Sequence, residues 1–145
     1  TITITASDND GNAASTVTST FTIDTVPPTL TISSPTAGLI TNKAALNVTG
    51  KTNDATSSPI TLTMTLNGTS LGTVTVGSDG SFTKAVTLAE GTNSIVVTAK
   101  DGAGQTTSIT LSVKLDTTVP VLKGITLTPN PVSTSASVAI TVEVS

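Results

Sequence analysis

Residues 93–122 read NSIVVTAKDGAGQTTSITLSVKLDTTVPVL, and this stretch predicts the fold because the beginning of the chain repeats its pattern. There, Thr1–Leu30 reads TITITASDNDGNAASTVTSTFTIDTVPPTL. Both copies contain an alternating strand, a turn with Asp and Gly, a second alternating strand, and a junction in which Asp-Thr precedes Val and Pro. The equivalent residues Asp24 and Asp116 stand 92 positions apart (116 − 24). This period is too long for a solenoid repeat and is typical of a small sandwich domain.

The repeat predicts a division of the chain into three parts. We expect 1–25 to be the last two strands of a preceding domain, 26–116 a complete domain, and 117–145 the first strands of a following domain. Pro27 and Pro28 restrict the backbone where the first two parts meet, which predicts a stiff junction. The chain is therefore predicted to belong to a tandem array.

The composition favours an all-β fold built from small side chains. Thr, Val and Ile dominate the alternating segments and suit a pleated, half-buried surface. No segment has helical periodicity, and the complete domain contains about seven alternating segments, which predicts an antiparallel immunoglobulin-like sandwich. The side chains predicted to face the core are Leu30, Ile32, Leu46, Val48, Ile60, Leu62, Met64, Leu66, Val74, Val76, Phe82, Val86, Leu88, Ile95, Val97, Ala99, Ile109, Leu111, Val113 and Leu115.

Two local patterns modify this prediction. SPTAGLITNKA, from Ser34 to Ala44, has no alternation and is expected to be a loop. Lys84 has the same parity as core-facing residues of its strand, so we expect a bulge, a sheet edge or a strand end there.

Charge and composition exclude several classes of function. The net charge of −3 and pI of 4.5 argue against a nucleic-acid partner, which requires a basic face. No apolar run approaches the length of a membrane span, so we expect no membrane insertion within these residues. The absence of His and Cys removes Ser-His-Asp and Cys-His catalysis and the usual zinc ligands. We therefore expect a protein that is not an enzyme.

A calcium site is the sharpest binding prediction. If strands alternate in direction, the N-terminal junction and three loops of the complete domain lie at one end of the sandwich. These segments contain the candidate metal ligands Asp24, Asn53, Asp54, Asp79 and Asp101. Carboxylate and amide oxygens are ligands that calcium prefers. The alternative is that these residues only form turns, which Asp and Asn commonly do before Gly.

The junctions IDTVPPTLTI and LDTTVPVL, the NG and SDGSF turns and the NSIVVTAKDGAGQ hairpin resemble bacterial immunoglobulin-like (Big-type) repeats. Such repeats occur in extracellular adhesins and surface stalks and as modules appended to glycosidases. The resemblance implies a bacterial or archaeal protein located outside the cell or on its surface. It brings no catalytic residues to this chain.

The sequence is compatible with three functions. The first is a structural stalk or spacer in an adhesin or filament, with neighbouring repeats of the same chain as partners. The second is a self-assembling filament subunit, in which unpaired strand edges bind other copies of the chain. The third is a glycan-binding accessory module of a secreted enzyme, although the chain has no Trp or Tyr to stack on sugars. The sequence identifies no glycan or host receptor.

Overall fold

A computed structural model describes residues 1–54, 58–128 and 139–144 of the chain. All regular elements in these ranges are strands, which confirms the predicted all-β class. The strands are β1 (Ile2–Ile4), β2 (Val17–Ser19), β3 (Thr29–Ser34), β4 (Ile40–Thr41), β5 (Ala45–Asn53), β6 (Thr61–Leu66), β7 (Thr69–Val74), β8 (Ser81–Thr87), β9 (Gly91–Lys100), β10 (Thr106–Leu115), β11 (Leu122–Thr128) and β12 (Ala139–Val144). The described ranges contain no helical segment with the length and hydropathy that a membrane crossing requires.

Strands β3 to β10 form a sandwich of two sheets. One sheet has the order β3-β5-β8, and the other has the order β4-β10-β9-β6-β7. Because successive side chains of a strand point to opposite faces, each strand buries alternate residues between the sheets. The buried core comprises Leu30, Val48, Leu62, Met64, Val74, Phe82, Val86, Leu88, Ile95, Val97, Ala99, Leu111, Val113 and Leu115. Every one of these residues was predicted to face inward.

The chain enters the sandwich at one end and leaves it at the other. Thr29, at the start of β3, pairs with Asn53 at the end of β5. The hydroxyl of Thr107 donates a hydrogen bond of 2.6 Å to the Pro28 carbonyl, so the entry point also lies beside the start of β10. At the opposite end, Leu115 pairs with Gly91. The ten-residue strands β9 and β10 therefore separate entry from exit.

The expectation of an uninterrupted loop from Ser34 to Ala44 is wrong at β4. This two-residue strand pairs in parallel with the end of β10, and the Leu39 carbonyl accepts a hydrogen bond of 2.8 Å from the Lys114 amide. The segment after β3 thus crosses from the first sheet to the second. Two residues are too few to show an alternating pattern, and their partner strand lies far along the chain.

The inward parity of Lys84 is explained by its position at a sheet edge, as predicted. It lies in β8, which is the last strand of the three-stranded sheet, and it pairs with Val48 without a register shift. Lys84 is half-buried, and β5 is the strand that pairs with β8 at this residue. No bulge is present in the β5–β8 register.

Two further hairpins flank the sandwich. Strands β1 and β2 form one, and β11 and β12 form the other. Large apolar side chains in both segments are more than half exposed, including Ile4, Phe21, Ile125 and Ile140. The predicted strand residue Val138 and the rest of 129–138 lie outside the described residues. Assignment of the two segments to neighbouring domains of a tandem array stays a prediction.

Candidate metal centre

Three carboxylates converge at the end where the chain enters the sandwich. Asp24 precedes β3, Asp54 follows β5, and Asp101 begins the turn between β9 and β10. One oxygen from each residue lies within 4.8 Å of the oxygens contributed by the other two. The structure therefore brings together three of the five residues predicted from sequence as metal ligands.

Asp101 is the most buried member of this group. Its residue surface is only 5% exposed. Oδ1 accepts a hydrogen bond of 2.8 Å from the Gln105 amide, and the turn is completed by Gly104, whose φ is 99°. Oδ2 is shielded from solvent and has no hydrogen-bond partner in the described part of the chain. One oxygen thus stabilises the turn, while the other is available for a ligand.

Asp24 is positioned by a turn of its own. Its Oδ1 accepts a hydrogen bond of 3.0 Å from the Val26 amide, two residues later. Asp116 makes the equivalent contact, because its Oδ1 accepts a hydrogen bond of 3.2 Å from the Thr118 amide. The repeated Asp-Thr junction is therefore a repeated turn in which the Asp side chain substitutes for a backbone acceptor.

The electrostatics of the cluster favour a cation. At an effective dielectric constant of about 20, two carboxylate charges no more than 4.8 Å apart repel each other by at least about 3 kcal/mol. Burial of Asp101 reduces the solvent screening that relieves such repulsion at an open surface. A divalent cation between the three oxygens would replace repulsion with attraction.

The other two predicted ligands have different surroundings. Asn53 is exposed, and its backbone carbonyl accepts a hydrogen bond of 2.8 Å from the Thr29 hydroxyl. Asp79 lies outside the carboxylate group, and its side chain is 62% exposed, 4.0 Å from the Lys51 ammonium. The hydroxyl of Ser81 donates a hydrogen bond of 2.6 Å to Asp79 and is the main cause that lowers the pKa of this carboxyl.

A buried polar network at the exit end was not predicted. Asn93 is fully buried, and its side chain exchanges hydrogen bonds with the backbone N–H and carbonyl of Ala89. It also accepts a hydrogen bond of 3.0 Å from the side chain of Asn67. The signal in the sequence was parity, because Asn93 shares the inward face with Ile95 and Val97.

The exit junction is attached to the sandwich through Glu90, which was also not predicted. Its two carboxylate oxygens accept hydrogen bonds from the Thr117 backbone N–H, at 3.2 Å, and from the Thr117 hydroxyl, at 2.8 Å. Glu90 lies in the segment between β8 and β9, whereas Thr117 follows β10. This pair attaches the start of the leaving segment to the β8–β9 connection.

An open cleft of about 280 Å³ lies beside the carboxylate cluster. Its lining residues are small, polar or aliphatic, and include Thr52, Asp54, Pro59, Ile60 and Val76. None of the described residues that line it is aromatic. The cleft therefore lacks the flat aromatic surface on which sugar rings usually stack.

Comparison with known proteins places the sandwich in a defined group. Residues 28–117 match the family described as glucodextranase, domain B, over more than half of the chain. No curated protein matches the sequence.

The solved structures that are similar to the chain include a set of natural modules and an engineered protein. The fibronectin(III)-like modules of Clostridium thermocellum CbhA align with a TM-score of 0.51 and 16% identity, over 79% of this chain and 60% of that one. An engineered protein aligns with a TM-score of 0.44 and 24% identity, over 61% of this chain and 20% of that one. The chain thus spans less than two thirds of the length of either structure. The similarity to the CbhA modules supports the sandwich fold alone.

Proposed function

The chain belongs to the glucodextranase domain B family, and we propose that its sandwich is a non-catalytic spacer module of an extracellular protein. Both the family and the sequence support this role. The family name associates the fold with a glycosidase, and the chain contains no His or Cys for the common catalytic arrangements. The module's contribution is geometric, because it holds the chain segments before and after it at a set distance.

The observation that carries this proposal is the separation of entry and exit. Strands β9 and β10 pair over ten residues, which at about 3.3 Å per residue corresponds to about 33 Å. The entering segment is attached through the Thr107 hydroxyl to Pro28, and the leaving segment is attached through Glu90 to Thr117. A module attached to its linkers at opposite ends keeps the segments before and after it at a fixed distance from each other.

The proposal is tested by joining two copies of residues 25–116 directly, since Asp24 and Asp116 are equivalent. Small-angle X-ray scattering of the joined pair and of one copy measures the increase in maximum dimension. We expect an increase of about 33 Å or slightly more, because the sandwiches are arranged end to end. A pair that folds back side by side, with an increase below about 20 Å, contradicts the spacer role.

The stalk of an adhesin and the accessory module of a glycosidase are both compatible with such a spacer. The glycan-binding version has less support, because Phe82, the one Phe between residues 28 and 117, is buried and the chain has no Trp or Tyr. Affinity electrophoresis in gels containing dextran distinguishes a spacer from a glycan-binding module. A spacer migrates equally with and without the polysaccharide. Retardation by dextran would assign a binding role instead.

The filament alternative predicts assembly through strand edges. Strands β7 and β8 are edges of the two sheets, and the flanking hairpins expose apolar side chains. Analytical ultracentrifugation across a hundredfold concentration range distinguishes this from a spacer, for which we expect a monomer. Growth into long polymers would favour the subunit role.

A further inference from the structure

We propose that Asp24, Asp54 and Asp101 bind one calcium ion, and that this ion attaches the entering chain segment to both sheets of the sandwich. The three residues come from separate parts of the chain and contribute oxygens within 4.8 Å of one another. This site is independent of the spacer role, since it rests on side-chain geometry at one end of the domain.

The burial of Asp101 distinguishes this cluster from an ordinary group of surface acids. A carboxylate that is 95% buried and negatively charged requires a partner, because burial without one is costly. The Gln105 backbone amide donates a hydrogen bond to Oδ1 of Asp101 only. Oδ2 is shielded from solvent without a hydrogen-bond partner among the described residues, while carboxylate oxygens of Asp24 and Asp54 lie nearby. A cation at this position satisfies the buried oxygen.

The donor set selects calcium among the common divalent cations. Calcium binds oxygen at about 2.3 to 2.6 Å, so two ligands of one ion lie up to about 5 Å apart, which accommodates the observed spacing. Zinc is disfavoured because the chain has no His or Cys. Magnesium requires shorter distances of about 2.0 to 2.1 Å and near-ideal octahedral geometry. The three ligands come from separate segments of the chain, and calcium accepts such a set because its coordination geometry is more flexible.

The position of the site determines what the ion does. Asp54 extends from a strand of the three-stranded sheet, and Asp101 from the end of a strand in the five-stranded sheet. Asp24 belongs to the segment that precedes the sandwich. Bound calcium therefore links three separate segments, so it stabilises the domain and restricts bending where the chain enters it.

The test measures thermal unfolding of the full chain by calorimetry in EDTA, in about 5 mM calcium and in about 5 mM magnesium. With a dissociation constant of about 0.1 to 1 mM, as in extracellular calcium modules, we expect calcium to raise Tm by about 5 to 15 °C. Isothermal titration with calcium chloride should show this binding, and magnesium should raise Tm by less than half as much. No binding heat and no rise in Tm would overturn the proposal.

Three variants locate the ion. Asp101→Asn and Asp24→Asn should each lose most of the calcium-dependent rise, and should unfold in EDTA at the same temperature as the unaltered chain or higher, because repulsion is relieved. Asp24 precedes the first strand of the sandwich, so its variant folds even if the buried substitution does not. Asp79→Asn is the matched control and should keep the full rise. An equal calcium response in all three variants would assign the ion elsewhere and overturn the proposal.

Discussion

Asn93 shows how one residue stabilises two turns at once. Its side chain donates hydrogen bonds of 2.7 Å and 3.0 Å to the carbonyls of Ala89 and Gly91, and accepts one of 2.9 Å from the Ala89 amide. Asn67 lies in the β6–β7 turn and has a φ of 51°. Its side chain donates a hydrogen bond to the side-chain oxygen of Asn93 and accepts one from the Ser94 backbone amide. The pair therefore joins the β6–β7 turn to the segment before β9.

Replacing Asn93 with Ala should destabilise the sandwich strongly. The substitution removes four part-buried hydrogen bonds made by a fully buried side chain, and each contributes about 0.5 to 1.5 kcal/mol, so we expect a loss of about 3 to 4 kcal/mol. In a domain of this size, Tm then falls by more than about 12 °C. Calorimetry checks this against Asn47→Ala, an exposed strand position expected to change stability by less than about 0.5 kcal/mol. Equal effects of the two substitutions would contradict the network.

Asp116 provides a prediction about pH. The Lys114 ammonium donates a hydrogen bond of 3.1 Å to this carboxyl and, together with the Thr118 amide, lowers its pKa below the ordinary value of 3.8. A lowered folded-state pKa means that the contact stabilises the fold above pH 3.8 and that this stabilisation is lost as pH falls through the lowered value. The effect on stability is small, because the side chains of Lys114 and Asp116 are 50% and 40% exposed and solvent screens their interaction.

Nuclear magnetic resonance titration of the Asp116 carboxyl in Lys114→Met checks this cause. The pKa of Asp116 should rise towards its ordinary value, since the largest cause of the shift is removed. The pKa of Asp79 is the internal control, because it is lowered mainly by the Ser81 hydroxyl and should stay unchanged. An unchanged pKa of Asp116 would show that Lys114 is not the cause of its lowering.

Among the elements, the flanking hairpins differ from the strands of the sandwich. The described core contains only residues between Leu30 and Leu115, so β1, β2, β11 and β12 contribute no side chain to it. Their own apolar side chains are exposed. We therefore predict that the strands from β3 to β10 fold as one unit.

A chain trimmed to residues 23–121 should fold with nearly the same stability. We expect its Tm to lie within about 4 °C of the longer chain, because removal of segments without core contacts changes stability by about 0.5 kcal/mol or less. A chain that begins at residue 31 lacks Leu30, and its Tm should be clearly lower. If the first trimming already costs more than about 10 °C, the hairpins stabilise the sandwich.

At the scale of the whole molecule, the sequence predicted what depends on local periodicity. Alternation predicted every residue of the apolar core among the described residues, and strand reversal placed Asp24, Asp54 and Asp101 at one end, where their convergence is observed. That they bind calcium stays a prediction. Periodicity does not encode particular hydrogen bonds. Three features depend on such bonds and were not predicted: strand β4, the inward amide of Asn93 and the contact of Asp79 with Ser81.

The parallel pairing of β4 with β10 bears on how the domain responds to mechanical tension. Pulling the chain ends apart drives the two strands lengthwise in opposite directions. The hydrogen bonds from the amides of Gly38, Lys114 and Asp116 to carbonyls of the opposite segment are then loaded in shear and must break together. Bonds in a hairpin opened from its end break one after another at lower force. The shortest strand of the sandwich would therefore set the force at which the domain begins to unravel.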